Sequence, residues 1–373
     1  MKKILLALTI AFVFVIQTFG QVYTNKEVGK KNQELADSLK KSEYPYILPI
    51  WGAKATAKGY NLPYSAGVSV NYFTQKSELI IQDLFVGFNN GPMYDLDEVI
   101  RFDNSTAYAS ALTVRPDVWI LPFLNIYGIF GKANSSTEIN AGVWIPDTTN
   151  TWHEVTKFST TANFDAVSAG FGMTPTLGVG GGWIALDMNV VWTDVSALDK
   201  PVFTFVFGPR VGKSFKFKNP NRNIAVWAGG FRVKFSSSTT GSMNLNEVLP
   251  VDGLQPKIDA GLIKVEDAQV AVNDWWGGLT PIEQKNPVNI AKFDVANRTI
   301  ETAGNLLVSM DGALNDSEYA SVQYSLNKSL KDKWNFIVGS QFQLNKHYMI
   351  RAEYGFLGSR QQFMAGLQYR FGL

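Results

Sequence analysis

The last thirteen residues, Gln361 to Leu373, read Q-Q-F-M-A-G-L-Q-Y-R-F-G-L, with an apolar residue at every second place: Phe363, Ala365, Leu367, Tyr369, Phe371 and Leu373. Between them stand Met364, Gly366, Gln368, Arg370 and Gly372. Successive side chains of a strand point to opposite faces, so this segment has one apolar, aromatic-rich face and one small or polar face. At the other end, Met1-Lys2-Lys3 is basic, Ile4 to Ile16 is apolar, and Thr18-Phe19-Gly20 offers small residues to a signal peptidase. That pattern predicts a secretory signal peptide over 1–20. The apolar run is shorter than the roughly 20 residues of a membrane-spanning helix, and no later stretch approaches that length. An exported chain that closes on an amphipathic strand points to an antiparallel β-barrel that crosses an outer membrane with strands.

Composition agrees with that reading where it is informative. Cysteine is absent, which excludes a lipoprotein anchor, disulfides, thiolate metal sites and cysteine nucleophiles. The net charge of +2 and pI near 8.4 give no reason to expect a nucleic-acid partner. A mean hydropathy of −0.04 would suit a soluble protein, yet barrels show the same value because lumen residues dilute the lipid-facing ones. The 32 glycines and 13% aromatics are more pointed, since glycine-rich strands ending in aromatics suit barrel walls and interfacial girdles.

Lys26 to Lys41 has a rough helical face, and Tyr44 to Pro63 is an irregular lead-in rich in Pro, Gly and aromatics, so 21–64 is expected to be an N-terminal helix and lead-in segment. The barrel is expected over 65–373. Strand signals fall near 66–74, 79–89, 106–115, 122–132, 156–164, 166–175, 183–194, 201–215, 222–236, 317–327, 333–344, 347–357 and 361–373. Because a bacterial barrel has an even strand number, either the two signals in 156–175 are one strand or another lies near Glu138 to Trp144. The expected fold is thus all-β, a transmembrane barrel of about 12 strands within a range of 10 to 14. The segment 237–315 interrupts it with helical character: Gln255 to Asp274 and Val288 to Met310, joined at Trp275-Trp276-Gly277-Gly278, predict a helical hairpin acting as a plug, a cap or an external lobe.

Parity assigns faces. Outward sets are Trp334, Phe336, Val338, Phe342 and Leu344; Tyr348, Ile350, Ala352, Tyr354 and Phe356; Phe203, Phe205, Phe207 and Val211; and Ala225, Trp227, Phe231, Val233 and Phe235. The inward candidates lining the lumen are Asp187, Asn189, Arg210, Arg232, Lys234, Arg351, Glu353 and Arg370. Read functionally, they form a basic-leaning pore lining; read structurally, they are arginine–carboxylate networks filling a small barrel.

The chain resembles a group of Gram-negative outer-membrane β-barrel proteins without an assigned activity. The likeness is carried by Val114-Arg115-Pro116-Asp117-Val118-Trp119-Ile120-Leu121-Pro122-Phe123-Leu124-Asn125-Ile126-Tyr127-Gly128, Trp192-Thr193-Asp194, Gly208-Pro209-Arg210-Val211-Gly212, and Arg351-Ala352-Glu353-Tyr354-Gly355-Phe356. It spans most of the chain from about Tyr46 and concerns the barrel class, not a substrate. It implies outer-membrane lipid and the barrel assembly machinery as partners. The family's last strand typically ends in an aromatic, whereas this one ends in Leu373 with Phe371 two before it.

Enzymatic activity is not expected. His153 and His347 have no serine or acid at a telling spacing, and Asp95 with Asp97 reads as a solvated loop. Gly178 to Gly182 lacks the lysine and the following helix of a phosphate loop. No cofactor or metal is expected. The function expected is a passive channel or transporter for a small solute, with the insert restricting the lumen; the alternative is a closed barrel serving as a structural anchor or interaction protein.

Overall fold

The computed structural model describes residues 30–179, 181–195, 201–219, 221–235, 238–248, 252–315 and 320–373; the expected signal peptide lies outside them. The strands are β1 (Ala66–Phe88), β2 (Tyr94–Asp95), β3 (Ile100–Leu121), β4 (Leu124–Pro146), β5 (Trp152–Val179), β6 (Gly182–Val195), β7 (Val202–Lys216), β8 (Asn223–Phe235), β9 (Ser238–Asn244), β10 (Ser321–Leu330), β11 (Trp334–Gln343), β12 (Tyr348–Leu357) and β13 (Arg360–Phe371). The helices are α1 (Lys30–Lys41), α2 (Gly52–Thr56), α3 (Leu245–Val248), α4 (Gln255–Gly278), α5 (Pro281–Gln284) and α6 (Pro287–Leu314).

Ten strands, β1, β3 to β8 and β11 to β13, pair antiparallel in sequence order, and β13 closes the ring on β1 from Ala66↔Phe371 to Ser77↔Arg360. Closure leaves no unpaired edge, the condition a sheet must meet in lipid. The count corrects the expected 12. Signals at 66–74 and 79–89 are one strand, β1, and those at 156–164 and 166–175 are one strand, β5. The signal at 317–327 is β10, which pairs with β9 and the upper part of β1 outside the ring. Periodicity marks where a chain is extended but not where one ladder ends and another begins, so long strands were divided.

The outer face of the ring is apolar. Leu367 is 63% exposed and Val211 58%, values that would be costly over a whole surface in water. Around the aliphatic belt of Val70, Leu112, Val211, Ile350 and Leu367 lie aromatics at both ends: Phe215, Tyr348, Tyr369 and Phe371 toward the C-terminal end, Trp192, Phe203, Trp334 and Tyr354 toward the other. Strands β11 and β12 have 10 residues each, the length a tilted strand needs to cross a bilayer core.

Four neighbouring strands outgrow the ring: β1, β3, β4 and β5 have 23, 22, 23 and 28 residues. Above Leu112 and Phe130 their outward positions turn polar, with Ser110, Lys132, Asn134, Ser136 and Asp165, while the inward ones turn apolar, with Ile139, Val143 and Phe158. The wall thus continues beyond the apolar belt as a curved sheet, extended by β10 and β9 on the upper part of β1. Its apolar inner face needs a cover. Helices α4 and α6 supply one: Ile258, Ile300, Ala303 and Leu307 pack with Val143, Ile145 and Val155 of the strands and Leu84, Leu96 and Val99 of β1 and the β2–β3 segment. Burial of each of these valine, leucine and isoleucine side chains stabilises the lobe by about 1.5–3 kcal/mol. Phe293 stacks on Trp276 at 4.3 Å and joins the helices. No helix of the described residues is long and apolar enough to cross a membrane.

The lead-in folds against the opposite end of the ring. Ile47 N donates to Leu373 O (2.9 Å), Ile50 N to Ile120 O (2.8 Å), and Tyr64 packs edge-on to Tyr46.

Candidate functional site

The lumen of the ring is built from one position in two of each strand, and a ladder of cross-strand pairs runs around half of it. Trp183 of β6 faces Gly212 of β7, Gly212 faces Trp227 of β8, Trp227 faces Gly339 of β11, and Gly339 faces Glu353 of β12. Each indole lies across a glycine because nothing larger fits: a Cβ at Gly339 would stand 2.3 Å from Trp227 Cε2. Lying flat, Trp227 reaches over Gly339 and donates from Nε1 to Glu353 Oε2 at 2.9 Å.

Glu353 is the hub. Arg210 grips it with two bonds, Nε to Oε2 at 3.0 Å and Nη2 to Oε1 at 3.2 Å, and Arg351 Nη2 adds a third at 3.2 Å. From Nη1, Arg210 also donates to Asp187 Oδ2 at 2.7 Å, which ties β7 to β6 and β12 together. Asp187 Oδ1 accepts from the hydroxyls of Tyr127 (2.7 Å) and Thr174 (2.5 Å). Arg115 lies 4.0 Å over the Tyr127 ring, and Tyr127 also donates to Asn189 Oδ1. A second cluster sits nearer the C-terminal end: Asp117 pairs with Arg370 at 2.9 Å and accepts from Asn125 (2.8 Å) and Gln368 (2.7 Å). Only about 140 Å³ of free space remains among these groups.

Of the eight lumen candidates, the structure brings Asp187, Asn189, Arg210, Arg351, Glu353 and Arg370 into this interior. Arg232 and Lys234 are not there. They pair with Phe207 and Phe205, both outward, and are exposed on the outer face, where Arg232 sits 5.9 Å over Trp334. Strand β8 has its expected faces reversed: Ala225 and Trp227 point inward and are buried, while Val226 points out. Both faces of β8 are apolar, so parity alone is ambiguous; an indole with a carboxylate to bond belongs inside, and two cations beyond the apolar belt belong outside. Parity does not single out Arg115, Asp117, Tyr127 and Thr174, because the inward sides of their strands carry apolar groups that mask the alternation.

Above the network, the inner face of the sheet and α6 line a second, half-open space of about 220 Å³. Its lining is almost wholly apolar, including Ile81, Phe158, Phe164, Leu306 and Met310. Thr137, Thr160, Tyr324 and Lys328 are the lining residues with polar side-chain groups. Lys328 of β10 lies with Nζ 5.9 Å from the Phe164 ring centroid, with no carboxylate of the described residues in ion-pairing distance. Thr160 of β5 lines the same space, and its hydroxyl has no hydrogen-bond partner among the described residues. Burial pushes the Lys328 ammonium below its ordinary pKa.

The remaining candidates have structural employment. His347 places Nδ1 2.8 Å from Arg370 O and stacks on Tyr369. Asp97 accepts from the amides of Asp83 and Leu84, both at 2.8 Å, at the point where β1 is irregular. Asp147 organises the β4–β5 turn, accepting from Thr149 N (2.8 Å), Thr151 N (2.8 Å) and the Thr149 hydroxyl, with His153 Nε2 at 3.0 Å. Partial desolvation raises the Asp147 carboxyl, but hydrogen bonds from Thr149, His153 and Thr151 outweigh it and hold the group well below the usual carboxylate range. A depressed pKa means that its contribution to the turn is full above a pH of about 4 and is lost as pH falls through the folded value. Asp147→Ala is therefore expected to lower the protection of the Thr149 and Thr151 amides at neutral pH, and acid is expected to lower it in the parent; exchange rates divided by the intrinsic rate at the same pH read both.

No family model matches the chain, and neither does any curated protein. Among solved structures it is similar to the transport unit of the autotransporter AIDA-I from Escherichia coli, at 9% identity and a TM-score of 0.31, covering 93% of this chain and all of that one. It is also similar to an outer-membrane channel from Pseudomonas putida F1 (9% identity, TM-score 0.26, 83% of this chain and 96% of that one). A third is a FadL homologue from Pseudomonas aeruginosa (8% identity, TM-score 0.27, 94% of this chain and all of that one). Similarities this remote place no constraint on activity.

Proposed function

We propose that the chain is an integral outer-membrane barrel whose lumen is shut, and that its task is to hold the helix-covered lobe at the cell surface. The observation that carries this reading is the Arg210 network. It joins β6, β7 and β12 through Asp187, Arg210 and Glu353, with both carboxylates and the guanidinium buried, and only about 140 Å³ of free space remains among the lumen groups. The apolar outer belt with aromatics at its two ends supports membrane insertion. Orientation follows from the connections: at the end holding the C-terminus, β3–β4 and β11–β12 are joined by short turns, whereas the lobe rises from the other end, and barrels of this kind keep short turns in the periplasm. Helices α4 and α6 cover the strand extensions above the ring, which makes the insert a cap on the lobe.

The passive-channel reading predicts a different electrical behaviour. In planar bilayers, the refolded chain from Gln21 is expected to show no steady current, and removal of 255–314 is expected to leave it silent, because the network lies below the helices. Steady conductance of the parent, or conductance appearing on removal of the hairpin, would overturn the closed-anchor reading in favour of a channel.

A further inference from the structure

Charge in the lumen does not balance. Around its half-open space of about 140 Å³ stand Arg115, Arg210, Arg351 and Arg370, and among the described residues only Asp117, Asp187 and Glu353 oppose them, which leaves one positive charge in excess. A charge withdrawn from water is costly unless it is paired, and an arginine cannot shed its proton to escape the cost. The excess falls on Arg115. Arg210 and Arg370 each hold a carboxylate, and Arg351 shares Glu353 with Arg210. Arg115 makes no hydrogen bond or ion pair with a described residue; its guanidinium has the face of the Tyr127 ring at 4.0 Å.

Arg115 and Arg351 open onto the same space. Only β13 and β1 lie between their strands: Arg351 pairs with Gly366, Gly366 with Asn71, and Arg115 with Ser69, so small or polar side chains keep the wall between the two arginines low. Both side chains line the space and are part-exposed to it. Their Nε atoms are buried, but Nη1 and Nη2 of Arg115 and Nη1 of Arg351 are neither bonded to a described residue nor sealed off. The fields of both guanidinium groups reach Asp187 on β6, which sets them around one point of the lumen.

We propose that this space holds one halide ion, which accepts hydrogen bonds from Arg115 and Arg351 and neutralises the excess charge. The volume is several times the roughly 30 Å³ share of one water, enough for the ion and the waters that complete its shell. Hydrogen bonds from ionised donors to an anion are short and strong where competing water is scarce. The site rests on the reading of a packed lumen, but the two are tested apart: conductance decides whether the lumen is shut, and halide binding is decided whether or not current flows.

The test is the ³⁵Cl line width of sodium chloride with the refolded chain from Gln21 in lipid nanodiscs, because exchange with protein-bound chloride broadens the free-ion line. Empty nanodiscs set the baseline. Expected is a protein-dependent excess width that saturates with chloride and is removed by bromide but not by gluconate at the same ionic strength. Arg115→Gln keeps most of the side chain and removes the charge; it is expected to weaken binding about ten- to a hundredfold, the range for loss of a charged hydrogen bond. Asn71→Asp, almost isosteric, places a carboxylate on the wall of the same space and is expected to abolish the excess width by supplying the missing charge from within. Arg232→Gln with Lys234→Gln removes two cations of the outer face and is expected to leave the signal unchanged. Heat-dependent mobility in detergent gels confirms that each variant keeps the closed barrel, and if one of the two lumen variants does not fold, the other decides. No excess width, or Arg115→Gln and Asn71→Asp binding chloride as tightly as the parent, would overturn the proposal. Loss of the signal in the outer-face variant would also overturn it, by showing that the ion sits on the surface.

Discussion

Replacing Glu353 by alanine is expected to destabilise the folded barrel by about 3–5 kcal/mol, the usual cost of removing one partner of a buried ion pair. The cost comes less from the lost attraction than from what remains. Glu353 neutralises Arg210, whose side chain is 6% exposed, and takes the indole N–H of Trp227 and one bond from Arg351. Without it, Arg210 keeps only Asp187 as a carboxylate partner, and Trp227 Nε1 loses its acceptor. Urea unfolding of the refolded protein in lipid, followed by tryptophan fluorescence, reads the change. A second comparison separates pairing from packing: Arg210→Met combined with Glu353→Gln should cost less than the sum of the single changes, because neither leaves the other's charge stranded. A loss below about 1 kcal/mol for Glu353→Ala would show that water reaches the network freely, and the reading of a shut lumen would fall with it.

The second large effect is expected at Gly339. A methyl group there would meet Trp227 Cε2 at 2.3 Å and Cζ2 at 2.4 Å, far inside contact distance, and the indole cannot retreat without losing Glu353. Gly339→Ala is expected to cost about 1–3 kcal/mol by overpacking, and Gly339→Val to prevent recovery of the heat-resistant folded form. The measurements are the same unfolding midpoint and the yield of compact barrel on a detergent gel. Gly172 works by the same device across the lumen: Tyr127 reaches over it to Asn189, and a Cβ would lie 2.3 Å from Asn189 Oδ1. If Gly339→Ala left stability and tryptophan emission unchanged, the flat packing of Trp227 over β11 would be wrong.

Both predictions concern residues that the alternation pattern treats in opposite ways. Glu353 is legible from sequence, since Tyr348 to Phe356 alternates cleanly and only one face of β12 can meet lipid. Trp227 is not, because β8 has two apolar faces and a tryptophan suits an interfacial belt as well as a lumen. What decides is the neighbour on the next strand, a glycine at 339 and a carboxylate at 353, and no window along β8 contains them. Arg232 and Lys234 were misplaced by the same ambiguity. Their charge argues for a watery lumen, whereas their height, beyond the apolar belt, makes the outer surface equally hospitable.

An amphipathic antiparallel barrel with a helical interruption near 255–310 is legible from the residues alone, because a period of two and the turn residues between strands are local properties, carried by each segment independently of its partners. The same alternation marks the apolar outer face of β7, β11, β12 and β13 and the inward place of Asp187, Arg210, Glu353 and Arg370. That the ring has ten strands, that β1, β3, β4 and β5 run on beyond it and that β10 leaves it for the lobe become visible in the folded chain. Only there, too, do Arg210, Asp187 and Glu353 meet, across 23 and 143 positions of chain, and Lys328 come to share an apolar space with Thr160 and α6. Register and closure depend on the sum of many cross-strand contacts between distant segments, and it is that sum, not any one segment's pattern, that selects them.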